Sequence, residues 1–344
     1  MSQGMFSAVT GIAANQTKLD VIADNIANLN TVAFKSTQVN FETVFSRTLT
    51  TGQAPVGNLG GTNPKQIGLG VKVADMSKDF NQGNVQSTGK ASDLNIQGEG
   101  FFVLENGGAA VGAASGSLLT RAGNFSLDAN GVMVNPNGLK VIGTNTVEGQ
   151  SLPLGTTEYV TIPNQLNIDE TTTPLNPVIN TAGAGTGEDV TLTSFSVSSD
   201  GAINATYSNG GRLTVRTDPG TNNRILEYNT SGGTTFVQGT DLTITAGITP
   251  ANLQLQFATV TNNGGLVAVG ANLYSTSVNS GNPSFAIGRA GGVGLIASGG
   301  LETSNVDLTR EFSQMMLSQR ALEANSRSFD THNSVLQTIV NLAR

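Results

Sequence analysis

The sequence predicts a mainly β protein with long terminal α-helices, in which nested, discontinuous β domains are inserted between an N-terminal and a C-terminal coiled-coil-like helix. Three observations predict it. Residues 304–344 contain neither Gly nor Pro and repeat apolar residues every seven positions. The stretch from Gln3 to Leu29 repeats the pattern at the other end of the chain. Between them Gly, Ser, Thr and Asn prevail, and in short runs the apolar period changes to two.

The C-terminal helix carries one unbroken apolar line, Leu308, Met315, Leu322, Phe329, Leu336 and Ala343. Its second line is mixed, with Phe312 and Val340 at the ends and Gln319, Ser326 and Asn333 between them. A helix of this length spans roughly 60 Å, about twice the diameter of a small domain, so a partner is required to cover it. Ser304 is the expected N-cap, with Asp307 three residues on.

In the N-terminal helix Met5, Ile12, Leu19 and Ile26 form the apolar line, and Val9, Gln16 and Ala23 form the companion line. If the two helices pair, everything between them leaves the pair and returns to it. The expected division is 1–30 with 304–344 as the helical domain, 31–65 as a linking segment, 66–145 with 254–303 as a first β domain, and 146–253 as an outer β domain.

Strand signals begin at Ile67, Leu69, Val71 and Val73, which alternate with Gly68, Gly70 and Lys72. Leu94 to Ile96 and Phe101 to Leu104 follow, joined by a turn at Gly98-Glu99-Gly100. Asn130-Gly131 and Asn137-Gly138 supply the positive φ angles of tight hairpins. Further short strands are expected at Phe195 to Val197, Ala202 to Tyr207, Leu213 to Arg216, Leu242 to Ala246, Leu253 to Val260 and Leu266 to Val269.

Composition excludes several functions. A net charge of −7 with no Lys/Arg cluster argues against nucleic acid, and the lack of Cys removes disulfides and thiolate metal sites. No run of about 18 apolar residues predicts membrane insertion. The N-terminal residues lack the basic start and apolar core of a secretory signal, so export would use another route.

No constellation points to catalysis, a cofactor or a metal. His332 is the sole histidine and lies inside the long helix. Gly98-Glu99-Gly100 begins like a dinucleotide fingerprint, but Val103 occupies the third glycine position and no helix follows. Asp128-Ala129-Asn130-Gly131 and Asp218-Pro219-Gly220 read as turns, because neither continues to the ligand pattern of a calcium loop.

Several ordered stretches carry a resemblance. Leu19-Asp20-Val21-Ile22-Ala23-Asp24-Asn25-Ile26-Ala27-Asn28 is followed by Thr31 and Phe34-Lys35. Gly98 to Val103, Thr120-Arg121-Ala122-Gly123-Asn124-Phe125 and the Asn130-Gly131 hairpin come next. Leu301-Glu302-Thr303-Ser304-Asn305-Val306-Asp307-Leu308, Gln319-Arg320-Ala321 and Ala324-Asn325-Ser326 close the series. On these residues, over about the first 145 and the last 90, the chain resembles the bacterial flagellar rod and hook proteins, hook proteins most closely. The chain departs from the family at Ala33, where a glycine is usual, and at Leu119 and Leu322, where aromatics are frequent; residues 146–253 have no clear counterpart.

The resemblance implies a homopolymeric structural subunit, not an enzyme, exported through the flagellar type III apparatus and assembled beneath a hook cap into a tubular hook outside the cell. Rod proteins, the cap and hook-filament junction proteins are its implied partners. The terminal helices would line the inner tube around an export channel. Met5, Val9, Ile12, Leu19, Ile26, Leu308, Phe312, Met315, Leu322, Phe329, Leu336 and Val340 would pack subunits, and Gln16, Gln319, Ser326 and Asn333 would fix register or face a wet channel. The competing expectations are a distal rod subunit and, in another class, an extracellular adhesin built on the Thr/Asn/Gly-rich middle.

Overall fold

The computed structural model describes residues 3–55, 57, 60–105, 117–143, 159–169, 178–180, 188–217, 224–229, 235–237, 243–244, 254–289 and 292–342. Ala343 and Asp218-Pro219-Gly220 lie outside the described residues, as does part of the strand expected over Leu242 to Ala246. The chain is mainly β with one helix near each end, Gln3–Ala27 (α1) and Leu308–Leu342 (α2). It forms two compact units: residues 1–31, 35–81 and 304–344 make up the first, and 32–34 with 82–303 the second.

In the helical unit α1 and α2 pack together, and the chain between them adds two antiparallel ribbons. Thr37–Thr43 pairs with Val71–Lys78, with an irregularity at Asn40/Phe41, and Ser46–Thr50 pairs with Lys65–Gly68. The strand expected from Ile67 to Val73 is therefore divided, and both pieces belong with the helices. Gly70 separates them at φ 116°, a conformation open to Gly but strained for other residues. Thr10 of α1 lies directly against it, and the Val71 N–H donates to Thr10 Oγ1 at 3.4 Å.

The helix starts one turn later than its sequence suggests. Asp307, not Ser304, caps α2: its Oδ1 accepts from the N–H groups of Thr309 (2.9 Å) and Arg310 (3.3 Å), while Ser304 Oγ accepts from Val306.

Side-chain amides fasten the base of the helical unit. Asn25 donates to the Thr37 carbonyl and accepts from the Thr37 N–H, both at 2.9 Å. Asn305 accepts from the Ser36 N–H (2.8 Å) and donates to the carbonyls of Asp79 (2.7 Å) and Asn81 (3.2 Å). Lys35 is fully buried and its Nζ donates to the Asn81 carbonyl at 2.7 Å, which gives the buried ammonium an oxygen partner. Burial lowers the Lys78 pKa, opposed by the charge of Asp24, and Lys78 Nζ donates to Thr37 Oγ1.

The β unit holds a six-stranded sheet in the order Val267–Gly270, Leu273–Ser275, Ser117–Thr120, Phe101–Glu105, Phe257–Thr259, Ser284–Ala286. The chain thus returns, after its middle, to strands laid down early. Leu295–Ser298 pairs with Leu94–Gln97, and Gly300–Glu302 with Val85–Ser87, in the same way. The Asn130-Gly131 hairpin forms as expected between Ser126–Leu127 and Met133–Val134, with Gly131 at φ 79°.

A second sheet of eight strands runs Thr235–Val237, Arg224–Asn229, Arg212–Thr217, Ile203–Tyr207, Glu188–Val197, Gln165–Asp169, Val178–Asn180, Thr243–Ile244. Ile203, Ala205 and Tyr207 alternate inward along one strand and join Leu94, Ile96, Phe102, Phe257 and Ile296 in a single apolar cluster. Among the described residues the compositional change near residue 145 therefore does not mark a separate core. Phe102 anchors this cluster edge-on to Phe125 at 5.1 Å between ring centroids.

One buried ion pair ties three distant segments of the β unit. An Arg121 guanidinium nitrogen lies 3.6 Å from Glu302 Oε2, and both side chains are almost wholly inaccessible. Arg121 also donates to the carbonyls of Gly98 (2.6 Å) and Ile96 (3.3 Å), and Glu302 Oε1 accepts from the Gly83 N–H (2.8 Å). The Gly98-Glu99-Gly100 turn is thus a docking point for Arg121. Burial lowers the Arg121 pKa, opposed by Glu302 and Glu99.

Candidate assembly surface

The two helices run antiparallel through glycines. A Cβ on Gly11 would stand 2.7 Å from Asn325 Nδ2, and one on Gly4 would overlap the His332 ring. Continued along the pair, this register brings Lys18 level with Ser318 and Asn25 level with Glu311. The buried residues of α1 are Ala8, Gly11, Ala14, Ile22 and Asn25, and those of α2 are Glu311 and Ser318. Small side chains on one helix and polar ones on the other let the backbones approach closely.

The seam therefore lies beside the lines expected from the heptad count. Met5, Ile12, Leu19 and Ile26 are half-buried at its edge, whereas Val9 and Gln16 are exposed. On α2, Met315, Leu322, Phe329 and Ser326 are half-buried. Leu308, Phe312, Leu336 and Val340 are exposed, as are Gln319 and Asn333. The polar residues that meet α1 are Glu311, Ser318, Asn325 and His332, one position over from Phe312, Gln319, Ser326 and Asn333. His332 thus has a packing role against Gly4.

Beyond the seam α2 shows a run of open apolar surface. Met316, Leu317, Val335, Ile339 and Leu342 are all more than half exposed, and Phe6 on α1 is 48% exposed. The heptad lines did not contain these residues. Their signal was apolar residues in succession, Met315-Met316-Leu317, Val335-Leu336 and Ile339-Val340, which makes the helix apolar on more than one face. The end of α2 runs on for ten residues past the level of His332, about 15 Å, and Val335, Leu336, Ile339, Val340 and Leu342 are exposed there. Exposed apolar residues thus gather toward the two ends of α2, with exposed polar residues between them, and such clusters suit an interaction site.

Among the described residues no group of three or more acidic, His or Cys side chains could hold a metal, and no helix is long and apolar enough to cross a membrane.

Comparison with known proteins gives this surface a context. The chain is 33% identical to the flagellar basal-body rod protein FlgG of Bacillus subtilis over 345 positions, covering both proteins completely. The chain belongs to the flagellar rod and hook protein family. Three family models agree: flagella basal body rod protein over residues 5–35, flagellar hook protein FlgE/F/G D1 domain over 95–205, and flagellar basal body rod FlgEFG protein C-terminal over 297–342. The flagellar hook protein FlgE of Treponema pallidum is 28% identical over 470 positions, again with both chains fully covered. That of Borreliella burgdorferi is 28% identical over 449 positions, covering 99% of this chain and all of the relative. Members of the family are structural components of the bacterial flagellum, and both terminal helices of this chain fall within matched regions.

Proposed function

We propose that this protein is the structural subunit of the flagellar hook. Copies self-assemble into a flexible tubular filament that transmits torque as a universal joint and encloses an export channel. The observation that carries the reading is the exposed apolar residues of α2, Phe312, Met316 and Leu317 near its start and Val335, Leu336, Ile339, Val340 and Leu342 near its end, on a chain similar over its whole length to hook proteins. At about 25 cal/mol per Å² of apolar area removed from water, covering these residues favours association. Repeated head-to-tail contacts that do not close generate a helical filament. In this reading the helix pair is coiled-coil-like and forms the inner tube, and the β segments are inserted in the chain between its two helices. Rod proteins, a hook cap, junction proteins and the type III export apparatus are the partners, and the assembled subunit lies outside the cell.

A second reading, a distal rod subunit serving as a rigid drive shaft, has its own support. The FlgG alignment needs 345 positions for a chain of 344, whereas the Treponema hook alignment needs 470, so more than a quarter of the latter has no counterpart here. Electron microscopy of polymer grown from the purified chain separates the two. Curved, flexible tubes are expected of hook; straight, rigid tubes would transfer the chain to the rod.

A further inference from the structure

The small and polar residues of the seam between α1 and α2 recur at one common spacing. Gly4 and Gly11 are seven residues apart, and so are successive members of the series Glu311, Ser318, Asn325, His332. Sliding one helix by seven residues again sets small residues against polar ones. In the observed register Ser318 (2% exposed) and Glu311 (7% exposed) are buried, yet Ser318 Oγ and Glu311 Oε2 have no hydrogen-bond partner. Lys18, level with Ser318, holds its Nζ 6.0 Å from the centre of the Phe41 ring. A slide of one heptad, about 10 Å, would bring Lys18 level with Glu311 and give the buried carboxyl a cation. That contact is missing from the register the chain adopts, in which Glu311 Oε2 stays unpartnered.

What opposes the slide stands at the base of the helical unit. Asn25 grips both backbone groups of Thr37, and Asn305 grips Ser36, Asp79 and Asn81. Thr37 and Ser36 are adjacent, so the two amides tie α1 and the segment leading into α2 to the same stretch of backbone. Asn25 lies in the last turn of α1 and Asn305 three residues before α2, so between them they set both helices.

We propose that Asn25 and Asn305 are the positioning residues that lock the register of the terminal helix pair, one heptad away from a register in which Lys18 meets Glu311. The pair is a two-position element, and the clasp decides between the positions. This holds for a hook or a rod subunit alike.

Zero-length carbodiimide crosslinking of the full chain, read by peptide mass spectrometry, tests it. Mixing isotopically light and heavy chains separates intrachain products from those between copies. With the clasp intact, Ser318→Glu should give an intrachain amide between Lys18 and position 318, and the wild type should give little between Lys18 and Glu311. In Asn25→Ala/Asn305→Ala the Lys18–Glu311 amide should rise roughly tenfold. Should that variant lose its helical circular dichroism, Asn25→Ser alone, which releases only Thr37, carries the comparison. An unchanged Lys18–Glu311 yield in the helical variant, or no Lys18 product with Ser318→Glu, overturns the proposal.

Discussion

The carboxyl of Glu302 and the guanidinium of Arg121 meet at 3.6 Å inside the β unit, joining the strand that leads to α2 with the end of a central strand of the six-stranded sheet. Glu302→Gln keeps the acceptor for the Gly83 N–H but strands a buried cation, and should cost about 3 kcal/mol. Arg121→Met leaves the Gly98 and Ile96 carbonyls unanswered and should cost a similar amount. In chemical denaturation the double variant should lose clearly less than the two single losses added; simple additivity would show that the pair is not coupled.

Alkaline pH acts on the same region. Burial pushes the Tyr274 phenol up to about 12, with Glu302 adding to the shift and Arg121 opposing it; Tyr207 is pushed up as well, by burial and then Tyr228. A raised folded-state pKa means that the stabilisation is complete below the ordinary phenol value of about 10 and is lost as pH climbs toward 12. Melting temperatures should fall between about pH 9.5 and 11.5, and Tyr274→Phe should flatten part of that fall. A profile indifferent to Tyr274→Phe would contradict this origin.

Ala33 takes the left-handed conformation, φ 55°, while fully buried. A glycine would adopt this backbone freely, whereas the alanine keeps it and bears its strain. Ala33→Gly should be nearly neutral, within about 1 kcal/mol, because relief of strain offsets the lost methyl and the freer unfolded chain. Ala33→Val adds branching at positive φ and bulk in a filled site, and should cost more than about 2 kcal/mol. Equal stability of the two variants would refute the conformational account.

A Cβ added at Gly11 of α1 would stand 2.7 Å from Asn325 Nδ2 of α2, too close for either helix to keep its place. Gly11→Leu should separate the helices, reducing helical ellipticity and polymer yield while the thermal transition of the β unit stays in place. Gly68→Ala, in the same unit but with nothing near its Cβ site, should change neither. Normal polymer from Gly11→Leu would show that the seam tolerates a wider spacing.

The helices were legible because Gly and Pro are absent from their runs and because period-seven apolar lines are hard to produce otherwise. The Asn-Gly hairpin and the returning strand at Phe257–Thr259 were legible for equally local reasons. The seam was not. Counting apolar residues selects Leu308, Met315 and Leu322, but where two helices approach on glycine the inward positions are small or polar, and apolar residues are displaced to the edge and the outside. Hydrophobic periodicity alone therefore found the helices and misplaced their contact by one residue. Arg121 with Glu302 was also silent, since two residues 181 positions apart meet only through the fold.

The central claim is that the open apolar face of α2 builds the polymer. Electron microscopy of the full chain and of a chain lacking residues 306–344, under the same assembly conditions, tests it most directly. Tubes from the full chain, and folded β protein without filaments from the truncated one, are the predicted result; filaments from the truncated chain would contradict it.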